Sequence, residues 1–171
     1  MWERLLLALD QFEPGEGALA FTAGIAREYG SHVHVLHLRE LHGMARVQPL
    51  ETVEEADRVV QHAARTLAGV GVRAEGRSLS VPRDHVARCI VEESAWRECD
   101  AIVLGSRRLV GIDRLSGRGT RERVLRLSFV PVLVAPAPAA ASEARGAVRG
   151  RPDFSDYSGR DRGHPRRWGP L

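Results

Sequence analysis

Residues 105–125 read Gly-Ser-Arg-Arg-Leu-Val-Gly-Ile-Asp-Arg-Leu-Ser-Gly-Arg-Gly-Thr-Arg-Glu-Arg-Val-Leu, directly after the apolar run Ala101-Ile102-Val103-Leu104. Glycines, hydroxyl residues and arginines therefore crowd a connection that leaves a strand and enters a helix. Such a connection can cradle a phosphate. Glycine lets backbone N–H groups approach closely, and a helix N-terminus offers free donors that attract anions. A charged surface loop has the same composition, so both readings stand at this point. In open α/β sheets, ligands bind beyond the carboxyl ends of strands, where the strand order reverses. Asp10 follows the apolar run 4–9, and Gly105-Ser106 follows 101–104. If those two runs are neighbouring strands, Asp10 and the glycine-rich stretch share one crevice.

Other reactive residues give weaker signals. His32, His34, His37, Glu40 and His42 lie close together in the chain. On a strand, however, His32 and His34 share one face and His37 takes the other. Three ligands do not converge, and a metal site is set aside. Ser106 or Ser116 as a nucleophile needs a base and an orienting acid. The chain has neither a Gly-x-Ser-x-Gly elbow nor a Walker A motif. Cys89 and Cys99 form no Cys-x-x-Cys pair and read as reduced thiols. No residue set argues for turnover.

The elements that must position the crevice follow from periodicity. Residues 4–9 are a buried strand, followed by a turn at 10–15 and a helix over 16–29 that Gly30 ends. The second strand is 33–38, with a loop over 39–50. A strongly amphipathic helix begins near Val53, with Ala56, Val60, Ala63 and Leu67 at spacings of three and four. The third strand, 72–79, alternates apolar and polar residues, which suits a position with one solvated face or an edge. Pro82 fits the first turn of a third helix running to about Glu98. Strand 101–104, a helix near 120–128 and a strand over 130–135 complete an alternating β/α pattern, the signature of an α/β domain with a largely parallel sheet.

Composition bounds the rest. Hydrophobic residues make up 43% of the 171, and aromatics only 5%, so aliphatic side chains must build the core. No apolar run approaches the roughly 20 residues that cross a bilayer. The first residues, Met1-Trp2-Glu3-Arg4, lack the pattern of a signal peptide. A cytoplasmic protein with no membrane partner is the expectation. All 25 basic residues are arginine, and the net charge is +3. That excess falls entirely from Glu143 onward, so the body of the chain is not a specific nucleic-acid binder. Residues 138–171, rich in Arg, Gly and Pro, show no period and read as a disordered tail behind a domain of 1–137.

Taken in order, "LLLALDQFEPGEGALAFTAGIA", "HVHVLHL", "DAIVLGSRR" and "RERVLRLSFVPVLVAP" resemble the universal stress protein family over residues 1–136. The resemblance implies a three-layer α/β/α sandwich of the adenine-nucleotide alpha-hydrolase-like type. Its five-stranded parallel sheet would have the order 3-2-1-4-5. The resemblance also implies homodimers through the last strand, Val132-Leu133-Val134, whose apolar edge would otherwise invite aggregation. His37 then belongs to the family's pattern on strand two.

The ATP-binding branch of the family carries Gly-x2-Gly-x9-Gly-Ser/Thr. Laid on this chain without gaps, the pattern starts at Gly105, meets Arg108 and Arg118 at the next two glycine positions, and meets Gly119 at the hydroxyl position. A one-residue slip offers Gly119-Thr120 instead. Two outcomes compete. Arg108 and Arg118 bind phosphate through charge-assisted bonds, or they fill the space that glycine left open. The adenine side would fall on Asp10 and Leu38, though Asp10 also suits a turn and Leu38 the core. The resemblance thus implies a regulatory or protective protein, with ATP as a candidate ligand and magnesium only alongside it. A nucleotide-independent scaffold that recruits unknown protein partners is the alternative, and slow ATP hydrolysis a third reading.

Overall fold

In this computed structural model, the described residues are 2–9, 16–41, 51–105 and 119–136. Five parallel strands alternate with helices along the chain. They are β1 (Arg4–Leu9), α1 (Glu16–Tyr29), β2 (His32–Leu41), α2 (Val53–Gly69), β3 (Arg73–Pro82), α3 (Val86–Trp96), β4 (Ala101–Leu104), α4 (Thr120–Leu127) and β5 (Val132–Val134). The sheet order is β3-β2-β1-β4-β5, as the resemblance implied. The proposed tail, 138–171, lies outside the described residues.

Alternation along the strands divides the core into two layers. Leu5, Leu7, Leu9, Val33, Val35 and Val103 face α1 and α2. Leu6, Ala8, Leu36, Leu38, Ile102 and Leu104 face α3 and α4. Nearly continuous aliphatic runs are what a parallel sheet needs when helices cover both faces. On α2, Ala56, Val60, Ala63 and Leu67 are buried. Thr52 caps that helix: Glu55 N donates to Thr52 Oγ1 at 3.2 Å, and Thr52 N donates to Glu55 Oε2 at 2.8 Å. This reciprocal pair satisfies two of the donors that a helix start leaves free.

Geometry requires glycine at both Gly30 and Gly76. Gly30 has φ +68, the left-handed turn that ends α1. A Cβ on Gly76 would stand 2.9 Å from Val60 Cγ1 and closer still to the Val35 carbonyl oxygen. Gly76 is therefore what lets α2 settle onto the β2–β3 pair.

Several boundaries differ from the sequence expectations, β5 among them at Val132–Val134 instead of 130–135. β2 does not stop at Leu38 but continues to Leu41, because pairing with β3 persists from His37↔Ser78 to Leu41↔Pro82. A hydrogen bond from Arg39 Nε to Ser80 Oγ at 3.0 Å ties the two extensions together. Pro82 ends β3 instead of opening a helix; its ψ of 143 is extended, and a single 3-10 turn over Arg83–His85 precedes α3. At the far end, α3 stops at Trp96, and Glu98 takes a left-handed φ of 52. Sheet pairing and the turn into β4 thus override local propensity at these ends. β3, whose alternation suited one solvated face or an edge, is at the edge.

Candidate functional site

β1 lies between β2 and β4, so the strand order reverses across it. Ala8 pairs in register with Leu104, and Leu9 with His37. The chain therefore leaves β1, β2 and β4 at one rim of the sheet, at the topological switch point where ligands of such folds collect. Of the residues expected to bind, Leu38, Gly105, Gly119 and Thr120 are described; Asp10, Ser106, Arg108 and Arg118 lie outside the described residues.

Leu38 stands one residue beyond the last β1 partner on β2, and its side chain is 5% exposed in the α3-side core. What it can offer a ligand at that rim is therefore backbone, not side chain. Gly105 follows β4 directly. Its carbonyl oxygen accepts a hydrogen bond from an Arg121 guanidinium nitrogen at 3.3 Å. Arg121 is on the first turn of α4, so this contact ties the end of β4 to the start of the helix. Sequence reading passed over Arg121; its place directly after Gly119-Thr120 was the available signal.

Gly119 is the N-cap of α4, with extended backbone (φ −62, ψ 154) and no side-chain cap hydrogen bond. Thr120 is the first helical residue and is exposed. The Glu122 carboxylate lies against Gly119 in the space that a Cβ would take, and its Oε2 is buried without a hydrogen-bond partner. The helix N-terminus and the Arg121 guanidinium attract an anion, whereas Glu122 opposes one. Among the described residues at this rim, no nucleophile is paired with a base.

His37, fully buried, places Nε2 2.7 Å from Glu51 Oε2. Arg39 also donates to the Glu51 carbonyl oxygen at 3.2 Å. The histidine thus fastens the segment entering α2 onto the carboxyl half of β2. His34 faces the other side of the sheet, where it meets Glu93, as strand alternation requires. Glu51 and Glu93, the partners of these histidines, are distant in sequence and carried no local signal.

At the opposite edge, β5 pairs with β4 on one side only. Val134 is 37% exposed, and near it along the chain Leu125, Leu127 and Phe129 are also exposed, Phe129 at 97%. Among the described residues, no helix is long and apolar enough to cross a membrane.

The universal stress protein family model matches residues 1–136. A universal stress protein family structure from Burkholderia pseudomallei is 24% identical, with a TM-score of 0.63, over 80% of this chain and 97% of that one. The universal stress protein from Archaeoglobus fulgidus in complex with dAMP is 23% identical, with a TM-score of 0.59, over 79% and 98%. A universal stress protein in complex with cAMP is 17% identical, with a TM-score of 0.61, over 79% and 97%. At these identities the likeness shows the fold. No curated protein matches the chain.

Proposed function

The chain belongs to the universal stress protein family, and from that premise we propose that it is a cytoplasmic, dimeric regulatory or protective protein that binds an adenine nucleotide without turning it over. The nucleotide lies across the rim between β1 and β4. The observation that carries this reading is the register of Ala8 with Leu104 beside a helix start whose N-cap, Gly119, has no side-chain cap. Asp10 and the Leu38 backbone hold the adenine side. Gly105, Ser106, Gly119 and Thr120 hold the phosphate side, with Arg108 and Arg118 replacing lost backbone contacts by charge. When ATP is the ligand, magnesium accompanies it. Two similar structures were solved with adenine nucleotides, dAMP and cAMP, which supports the ligand class.

The dimer forms through Val132, Leu133 and Val134. Pairing there covers an apolar edge that is costly to leave open.

The exposed Leu125, Leu127 and Phe129 favour a second reading, a scaffold that recruits partners through the same surface without nucleotide. Replacing Gly105 by Leu separates the two. In the nucleotide reading, thermal stabilisation by AMP or ATP with magnesium is seen for the wild type and lost in the variant, while the dimer persists. Identical melting of the wild type with and without nucleotide supports the scaffold.

A further inference from the structure

The amino-terminal rim of the sheet, opposite the crevice, holds a charge cluster built around a buried imidazole. His34 on β2 is 5% exposed. Glu93 and Arg97 approach it from α3 and its C-terminus, Glu75 and Arg77 from β3, Arg4 from β1 and Cys99 from the turn before β4, with His32 beside it on its own strand. Nε2 of His34 is 2.9 Å from Glu93 Oε1, and Nδ1 is 3.8 Å from Glu75 Oε1.

Glu93 is 4% exposed and accepts from Arg77 Nε at 3.1 Å and from Arg97 Nε at 3.3 Å. These guanidinium groups hold its carboxyl below the usual range, against the opposing effect of desolvation, which is individually the largest influence. Glu93 is therefore an ionised carboxylate, which only accepts. The proton of the neutral His34 ring then sits on Nε2. Both ring nitrogens are buried and neither completes a hydrogen bond of good geometry, although Nε2 lies against the Glu93 carboxylate; Nδ1 keeps its lone pair. A cavity of about 370 Å³ is lined by His34 together with Arg4, Glu75 and Arg97.

Glu75 Oε1 faces two groups. Arg97 holds it at 3.1 Å, and His34 Nδ1 waits at 3.8 Å. The guanidinium carbon of Arg97 also lies 4.5 Å from the centroid of the Trp96 ring, and Trp96 is 64% exposed. We propose that this cluster is a proton-operated switch: a proton taken up at Nδ1 of His34 draws Glu75 off Arg97 and onto the imidazolium, and leaves the Arg97 guanidinium held by Glu93 and the Trp96 ring alone.

Charge alone sets the direction. The neutral ring leaves Glu75 to Arg97. The imidazolium repels Arg97, attracts Glu75, and presents an N–H where the lone pair was. Burial, followed by the Arg97 charge, holds the His34 pKa below 6.5. The neutral arrangement is therefore the one at pH 7, and the switch acts on the acid side. Its output is a change in how tryptophan and arginine, the side chains most often dominant at protein interfaces, are presented on one patch.

The test is an NMR titration of the full-length protein between pH 7.5 and 4.5. It follows the His34 ring nitrogens, the Trp96 indole N–H and the Arg97 Nε–H. Below pH 6.5, His34 should titrate at Nδ1 and the Trp96 and Arg97 signals should move with the same midpoint. In Glu75→Gln, a half-exposed position, His34 should still titrate, at lower pH, while Trp96 and Arg97 no longer follow it. Trp96 and Arg97 signals that ignore the His34 midpoint in the wild type would overturn the switch. So would proton uptake at Nε2, or a His34 that stays neutral throughout the range. Circular dichroism on the same samples separates these outcomes from unfolding.

Discussion

Ala8 of β1 and Leu104 of β4 are register partners in adjacent parallel strands. That pairing brings two connections, separated by more than 90 residues of chain, out of the sheet at one rim. The functional account rests on this geometry. A strand-to-helix connection with glycines binds nothing by itself; a second element must close the other wall. Here the β1–β4 pair supplies it, and the Arg121 contact to the Gly105 carbonyl oxygen fixes the start of α4 against the end of β4.

The fit of α2 on the sheet sets the first prediction. Gly76→Ala puts a methyl group against the Val35 carbonyl and Val60 Cγ1. Neither neighbour is the loose end of a long side chain, so both the β2–β3 pairing and α2 must shift. Overpacking of this kind costs about 1–3 kcal/mol. Urea unfolding should show the midpoint falling with an unchanged slope. A variant as stable as the wild type would mean that α2 sits less tightly than described.

Thr52→Ala tests the same helix from its end. It removes the acceptor for Glu55 N and leaves Glu55 with half of the reciprocal pair. Loss of a threonine cap costs about 1 kcal/mol. The Thr52 hydrogen bonds also hold the Glu55 carboxyl below its usual value of 4.5. Its folded pKa is depressed, so the associated stability is present above pH 4.5 and lost as the pH falls below it. Equilibrium unfolding should show T52A less stable than wild type at pH 7, and both losing the part carried by the Thr52 N–H bond to the Glu55 carboxylate as the pH falls to 3.

The buried Glu93 should be the most sensitive charged position. Glu93→Gln leaves the Arg77 guanidinium without its carboxylate, leaves Arg97 with Glu75 alone, and takes away the carboxylate that faces His34 Nε2. Breaking a buried pair on one side typically costs about 3–5 kcal/mol; the partial exposure of Arg77 and Arg97 puts this case at or below the low end. Thermal melting measures it. His34 adds a dependence of opposite sense to ordinary histidine pairs. Its folded pKa lies below 6.5, so the unfolded chain takes up the proton first. Stability attached to His34 is complete above pH 6.5 and falls as the pH drops below it. His34→Gln should flatten that slope.

Much of this architecture was legible in the sequence, because aliphatic runs of four to six residues alternate with 3.6-period helices. β1, α1 and β4 stand where the pattern put them. Boundaries that depend on a partner did not show. Leu41 and Pro82 are in strands because each pairs with the other, and no local signal reports a partner some forty residues away. The site was legible in part for the same reason. Gly105 and Gly119 stand out by type, whereas Arg121 and Glu122 matter through where α4 begins. Leu38 was marked by position, yet its side chain is in the core.

The sheet edge gives the fourth prediction. Val134→Lys together with Phe129→Asp changes two exposed side chains and leaves the core intact. If the edge pairs two copies, sedimentation should show a dimer for the wild type and a monomer for the double variant, with melting little changed. A wild type that sediments as a monomer at every concentration removes the dimer from the account.

Calorimetric titration of the full chain with AMP, ADP and ATP, the last with magnesium, tests the central claim most directly. The account predicts saturable binding of one nucleotide per chain for at least one of the three, weakened at least tenfold, about 1.4 kcal/mol, by Gly105→Leu. Absence of binding heat for all three, with the protein folded and no thermal shift on adding them, would contradict it.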